Sequence, residues 1–196
     1  ADDYESCIAA CSGDEVEEEV LPGHATVSLV SKAADQNVPY NVTNVKVGTI
    51  KLTAGENDTK VSSVEISRDG LANFTSNKIA VFLKNDSLKT RTAYVSANTN
   101  KANVRFVPAL DMKANSSMTF DVIVDLGKNT GTNDEHNFKV TNLIVANGTA
   151  SGTPFNIGKI KTTPAKAKEV DVDVSGGETG LKGGDKNKEL ATVEFD

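Results

Sequence analysis

Nine residues in the second half of the chain alternate between apolar and other side chains more regularly than any other stretch. Met118, Phe120, Val122, Val124 and Leu126 occupy every second position. Because successive side chains of a strand point to opposite faces of a sheet, this spacing predicts a strand with one buried face. Sustained helical periodicity is missing, whereas about ten short segments of similar pattern recur between turn residues. The chain is therefore predicted to be an all-β, Greek-key-like β-sandwich.

Two predicted strands shift their alternation by one residue. In residues 45–53 the shift falls at Gly48, and in residues 61–66 it falls at Ser62 and Ser63. An extra residue in one strand of a pair forms a β-bulge, which bends the strand and increases its twist. The two shifts therefore predict bulged strands in a strongly curved sheet, as packed sandwiches require.

The predicted strand at 45–53 has a counterpart at the end of the sequence. Thr49-Ile50-Lys51-Leu52 matches Thr192-Val193-Glu194-Phe195 in the order small β-branched, apolar, charged, apolar. Thr26-Val27-Ser28-Leu29 precedes the first segment as Asp171-Val172-Asp173-Val174 precedes the second. The sequence thus predicts one full β unit followed by the first two strands of another, an extra C-terminal two-strand half-unit.

Three regions follow from these patterns. Residues 1–22 are predicted to be an acidic leader, residues 23–163 a β-sandwich domain, and residues 164–196 a linker plus C-terminal strands that can act as a donor segment. Cys7 and Cys11 both lie in the leader. An intrachain disulfide formed in an oxidising compartment is one interpretation, and bonds between subunits, free thiols and metal binding are the alternatives.

Charge and motifs argue against several classes of function. The net charge of −6 disfavours nucleic acid as a partner, because phosphates require basic patches. No apolar run reaches the roughly 20 residues that cross a bilayer, so membrane insertion is not predicted. His24 and His136 have no nucleophile or metal signature beside them and are both predicted to be ordinary surface histidines. We therefore expect neither an enzyme nor a cofactor.

Calcium and glycans remain as weaker alternatives. Asp171, Asp173 and Asp134 are the calcium candidates, because carboxylates on an outer strand face can combine with loop oxygens. Asp121 and Asp125 form a second pair of acidic residues with the same two interpretations, a calcium site or a solvated outer face. Six Asn-x-Ser/Thr sequons mark glycosylation candidates at Asn41, Asn57, Asn73, Asn85, Asn115 and Asn147.

Several of these segments resemble a known group of proteins. Residues 44–54, 60–70 and 79–83, with the later stretch 114–126, are similar to tandem β-sandwich repeats of prokaryotic S-layer and other large cell-surface proteins. The resemblance covers residues 24–165 and the restart at 170–196. It implies an extracellular structural module without a catalytic site.

The half-unit leads to a functional hypothesis. An isolated strand exposes backbone N–H and C=O groups until another strand covers them. We therefore expect an extracellular, cell-surface protein that self-assembles by head-to-tail β-strand addition into a pilus-like filament or array, with copies of itself as partners. Leu190, Val193 and Phe195 would then fill the acceptor. The alternatives are one repeat of a longer S-layer or adhesin-like protein, and a calcium- or glycan-binding module.

Overall fold

The computed structural model describes residues 21–39, 41–70, 79–127 and 135–163, together with the backbone of two short strands at 172–175 and 192–195. The regular structure of these residues is β throughout, so the predicted all-β class is confirmed. Within them, no helix is long and apolar enough to pass through a membrane.

Two mixed sheets pack against each other to form the β-sandwich. The first sheet has the order β10-β1-β3-β8-β5-β6, and the second has the order β2-β11-β9-β4-β7. The strands are β1 (Gly23–Lys32), β2 (Gln36–Pro39), β3 (Val45–Ala54), β4 (Thr59–Asp69), β5 (Ile79–Lys84), β6 (Ala93–Tyr94), β7 (Lys101–Met112), β8 (Ser117–Leu126), β9 (Glu135–Val145), β10 (Gly148–Ser151), β11 (Phe155–Thr163), β12 (Val172–Ser175) and β13 (Thr192–Phe195).

The strand with the clearest alternation, β8, lies in the middle of the first sheet between β3 and β5. Its inward residues from Phe120 to Leu126 are buried, and Phe120 packs against Phe106 of the opposite sheet with ring centroids 5.5 Å apart. Ile123 faces outward but is also buried, because Phe82 lies opposite it on β5. Lys89 Nζ lies 4.1 Å from the centroid of the Phe82 ring. Apolar packing thus continues locally on the outer face of β8.

Both predicted bulges are present. The register of β3 with β8 shifts between Lys46 and Gly48, and that of β4 with its two neighbours shifts between Val61 and Ser63. A Cβ at Gly48 would lie 2.5 Å from Ile157 Cγ2 on β11. Glycine at the bulge therefore lets β3 of one sheet approach β11 of the other.

The strands define two ends of the sandwich, which we call the first and second poles. At the first pole lie Gly23 and the loops 55–58, 113–116 and 146–147. At the second pole, Thr163 pairs with Pro39 and Lys161 pairs with Glu135. The strand β9 connects the poles with eleven residues, so they lie about 35 Å apart at a rise of about 3.3 Å per residue.

The first and last segments of the sandwich run side by side from the first pole to the second. At the first pole β1 pairs with β10 in parallel, from Gly23↔Gly148 to Thr26↔Ser151. At the second pole β2 pairs with β11 in parallel, from Gln36↔Ile160 to Pro39↔Thr163. Both segments change sheets between these pairings, at residues 33–35 and 152–154. The beginning and end of the sandwich are therefore paired with each other at both poles.

A separate two-stranded antiparallel sheet follows the sandwich in the sequence, formed by β12 and β13. The two C-terminal strands that the sequence predicts are thus present, but the sandwich strands that they match, β1 and β3, are its first and third strands, because β2 lies between them. That they form part of a further unit stays a prediction. The division into a leader, a sandwich domain and a C-terminal segment stays a prediction, because the structure describes only residues 21–163, with gaps, and these two strands.

Candidate functional site

The two histidines have different surroundings. His24 is exposed at the start of β1, and its ring nitrogens lie 2.9 Å from Thr149 Oγ1 and 3.0 Å from Ser151 Oγ on β10. His136 is fully buried on β9. The prediction of a surface position is therefore right for His24 and wrong for His136.

His136 is held by a buried arginine. Arg68 Nε donates a hydrogen bond of 3.0 Å to Nδ1 of His136, which places the imidazole proton of the neutral ring on Nε2. The His136 Nε2 atom is buried and has no hydrogen-bond partner among the described residues. Burial, followed by the positive charge of Arg68, lowers the pKa of His136 to about 4. His136 is therefore neutral at physiological pH and serves as a hydrogen-bond acceptor inside the sandwich.

The alternation of residues in two strands of the sequence carries a signal for this pair. Val64, Ile66 and Arg68 occupy alternate positions of β4, and His136 stands two residues before Phe138 on β9. Both polar residues therefore continue an inward-facing series. Asp69 and Gly70 are turn-forming residue types, but β4 continues to Asp69, so the Arg68 side chain is buried in the core.

The paired acidic residues on β8 are bound to neighbouring strands and loops. Asp121 Oδ1 accepts hydrogen bonds from Thr49 Oγ1 at 2.9 Å and from Lys46 Nζ at 2.7 Å. Asp125 Oδ1 accepts a hydrogen bond of 2.6 Å from the backbone N–H of Asn44. The expected solvated outer face is therefore only partly correct, because both carboxylates connect β8 to β3 or to the loop before it.

The calcium candidates are not brought together by anything the structure describes. Asp134 and Asp171 lie outside the described residues, and only the backbone of Asp173 is described, on β12. In the described part of the chain, no group of three or more His, Cys, Asp or Glu side chains is arranged to hold a metal ion. Cys7, Cys11 and Leu190 also lie outside the described residues.

The described sequon asparagines lie in loops and turns between strands. Asn41 and Asn115 are exposed and have φ angles of 66° and 58°, in the left-handed region that asparagine tolerates. Asn57, Asn85 and Asn147 are half-buried. Asn85 Oδ1 accepts hydrogen bonds from the backbone N–H groups of Ser87 and Leu88. Asn73 lies outside the described residues. Each described sequon asparagine therefore has a local role in the backbone.

The loops at the first pole are joined by polar side chains. Asp58 accepts hydrogen bonds from Lys113 Nζ at 2.7 Å and from the backbone N–H of Ala114 at 2.9 Å, and these two bonds lower its pKa below the usual value. Asn147 Oδ1 accepts a bond of 2.9 Å from the backbone N–H of Lys60. Asn57 Nδ2 donates to the carbonyl oxygen of Pro22 at 3.1 Å. The chain entering β1 is thus attached to the loops around it.

A cleft of about 320 Å³ lies beside β9 and β11, next to the segment that joins β1 to β2. Its rim carries charges of both signs, and Lys139 forms an ion pair with Asp69. Lys159 forms another with Glu135, at 3.0 Å. Its one aromatic lining residue, Phe138, is buried in the core. Such a lining does not provide the exposed rings that sugar-binding sandwiches use.

The strongest functional feature is the register of the C-terminal hairpin. Val172 pairs with Phe195, and Val174 pairs with Val193. In the sandwich, Val27 pairs with Leu52, and Leu29 pairs with Ile50. These are the positions that the sequence match aligns. Two of the proposed strand-exchange residues, Val193 and Phe195, therefore lie on a strand that is paired like β3.

Comparison with known proteins adds no relative to this picture. No protein-family model matches the chain, and no curated protein is similar to it in sequence. The resemblance to S-layer repeats therefore stays a prediction.

Replacing His136 by asparagine is expected to change how stability depends on pH. Because its pKa is about 4 in the folded protein and about 6.5 in the unfolded chain, the unfolded state binds the proton first as the pH falls. Between about pH 6.5 and the folded pKa, protonation of the unfolded state lowers the free energy of unfolding of the native chain by up to about 1.4 kcal/mol per pH unit. Asparagine keeps an acceptor for Arg68 and does not titrate.

Urea denaturation of both proteins between pH 7 and pH 5 measures this difference. The free energy of unfolding is expected to fall more steeply for the native chain. Asp58, Glu65 and Asp121 also have lowered pKa values, so their stabilisation is lost only at more acidic pH. Equal slopes for the native chain and His136→Asn above pH 5 would show that His136 does not titrate as described.

Two substitutions separate the structural role of Asn147 from glycosylation. Asn147→Ala removes the acceptor for the Lys60 N–H and is expected to lower the free energy of unfolding by about 1 kcal/mol. Thr149→Ala destroys the same sequon but keeps the asparagine and loses only the exposed hydrogen bond to His24, so its effect is expected to stay within about 0.5 kcal/mol. Thermal and urea denaturation of unglycosylated protein measure both. Equal losses would contradict the structural role.

Proposed function

We propose that this chain is an extracellular structural protein of β-sandwiches joined end to end, in which β12 and β13 are the equivalents of β1 and β3 in a neighbouring sandwich. The observation that carries the proposal is the register shared by two pairs of strands, β12 with β13 and β1 with β3. Val172 and Val174 pair with Phe195 and Val193 as Val27 and Leu29 pair with Leu52 and Ile50. The resemblance to tandem cell-surface repeats points in the same direction.

The register supports the proposal because it adds the pairing of the strands to the similarity of their sequences. Similar residue types at 26–29 and 171–174, and at 49–52 and 192–195, do not by themselves determine which residues face each other. A slip by one residue would move every side chain to the other face of the strand. The matched residues face each other in both strand pairs, which is what two copies of one strand pair would show.

The positions of the sandwich's ends also support end-to-end joining. The chain enters β1 at the first pole and leaves β11 at the second pole, about 35 Å away. The strand β12 begins nine residues after the end of β11. Units connected in this way extend along the strand direction, as a stalk or a surface layer requires.

The sheet formed by β12 and β13 has two edges at which the complete sandwich has further strands. In the complete sandwich, β3 pairs with β8 on its other side and β1 pairs with β10 on its other side. Among the strands that the structure describes, β12 and β13 pair only with each other. A two-stranded hairpin is marginally stable at best in water. It therefore needs strands equivalent to β8 and β10.

Supplying those strands tests the proposal. Because Phe195 corresponds to Leu52, residues 53–163 of the same chain are attached directly after Phe195. The extended chain is expected to form a second sandwich, with its hairpin amides protected from hydrogen exchange and a heat of unfolding close to twice that of the native chain. Hydrogen exchange with mass spectrometry and calorimetry measure these two quantities.

The matched control carries the same extension without Glu194. This deletion moves Phe195 to the opposite face of the strand and should prevent the second sandwich from forming. Fast exchange of the hairpin amides in both extended chains would contradict the proposal.

Head-to-tail strand addition between copies is the second candidate, and the edges of the sandwich favour it. The strands at three edges have only two to four residues, whereas β7 at the fourth edge has twelve. Long free edges accept added strands. The outward side chain of Val107 on β7 is 57% exposed. The strand β7 is therefore the acceptor that this candidate predicts.

Deleting residues 188–196 tests strand addition. The deletion removes β13, so the shortened chain should remain a single copy at concentrations where the full chain forms assemblies. Light scattering and electron microscopy measure the difference. A full-length variant with Val193→Ser and Phe195→Ser controls for length and should also stay monomeric. Assembly that survives the deletion would contradict this candidate.

A further inference from the structure

From the order and direction of the strands, we infer that the sandwich resists tension applied between its two poles. This inference rests on the proposed function, because units joined end to end carry a pulling force through every sandwich. Its physical basis is the pairing of the first and last segments, β1 with β10 and β2 with β11.

The force would act on neighbouring strands in opposite directions. Tension at the first pole pulls the first segment, β1 and β2, toward the first pole. Tension at the second pole pulls the last segment, β10 and β11, toward the second pole. Each parallel pairing joins one strand of the first segment to one strand of the second. The segments therefore have to slide past each other along their axes before the sandwich can open.

Sliding is more difficult than peeling because of how the hydrogen bonds are arranged. In a parallel pair the hydrogen bonds are evenly spaced and cross between the strands at a slant, so a pull along the axes loads the bonds of a pairing together. A pull across the axes breaks them one after another from one end. The described pairings comprise four residue pairs at the first pole and four at the second. Both sets resist the same displacement.

Both terminal segments are also held on their other sides. The strand β1 pairs with β3 from Ala25↔Ala54 to Lys32↔Gly48, and β11 pairs with β9 from Phe155↔Val140 to Lys161↔Glu135. Neither β1 nor β11 lies at an edge of its sheet. The two strands that receive the force are therefore anchored on both sides.

Close backbone packing fixes the first pairing. A Cβ at Gly148 would lie 1.7 Å from the carbonyl oxygen of Gly23, its partner on β1. At Gly55, in a loop of the same pole, a Cβ would lie 3.3 Å from His24 Cβ, so its nearest neighbour is a side chain. Alanine at position 148 thus disturbs the pairing of the first and last segments, whereas alanine at position 55 requires the Cβ of His24 to shift by only a few tenths of an ångström.

Single-molecule force spectroscopy on the full chain tests the inference. Leu21→Cys and Thr163→Cys provide handles at opposite poles, and Leu21→Cys with Glu56→Cys provides handles at the first pole alone. Cys7 and Cys11 are replaced by serine in both. The extended chain between the handles measures about 500 Å in the first geometry, about 460 Å more than the folded separation of the poles, and about 120 Å in the second, which identifies each event. At one loading rate, the force is expected to be roughly twofold or more higher between the poles.

The two glycine variants provide the matched comparison. Gly148→Ala is expected to lower the unfolding force between the poles, and Gly55→Ala is expected to leave it unchanged. Equal forces in the two pulling geometries would overturn the inference, and so would an unchanged force in Gly148→Ala. If Gly148→Ala does not fold, the comparison of geometries decides alone. These measurements use one sandwich and the test of the proposed function uses the extended chain. Equal forces would overturn the inference even if the extended chain forms a second sandwich. A missing second sandwich would overturn the proposed function whatever the forces are.

Discussion

The fold depends on one long-range constraint, the parallel pairing of its first and last segments. Parallel neighbours cannot be joined by a tight turn, so most of the chain lies between β1 and β10. The intervening strands fill both sheets and return the chain to the first pole at Asn147. The same pairing leaves the two ends of the sandwich at opposite poles. Core packing, the position of the termini and the proposed response to tension therefore have a common origin.

Polar side chains in this sandwich mainly connect strands and loops. Asp58 joins two loops of the first pole, Asp121 joins β8 to β3, and Arg68 with His136 joins β4 to β9 inside the core. Burial disfavours the charged form of a side chain and the positive charge of Arg68 adds to this, which explains why His136 stays neutral between two strands. Groups that attract attention as catalysts or ligands in the sequence thus have structural roles in the part of the chain that is described.

The sequence predicts the parts of the fold that depend on local patterning. The alternation at 118–126 predicts a strand buried on one face, and the shifts at Gly48 and Ser62 predict two bulges that are present. It cannot predict the pairing of β10, because Gly148–Ser151 is short, fully exposed and without apolar alternation. The sequence also predicts a surface position for His136, which is wrong. A polar residue at an inward position resembles a loop residue until its partner on another strand, here Arg68, is known. Long-range pairing determines both.

The central claim is that β12 and β13 repeat the pairing of β1 and β3. Nuclear magnetic resonance of the full chain tests it most directly. The quantity measured is the set of cross-strand nuclear Overhauser effects between backbone protons, within β12 and β13 and within β1 and β3. The account predicts matching cross-strand contacts at Val172–Phe195 and Val174–Val193, in the pattern shown by Val27–Leu52 and Leu29–Ile50. A C-terminal hairpin displaced by one residue from this register would contradict it.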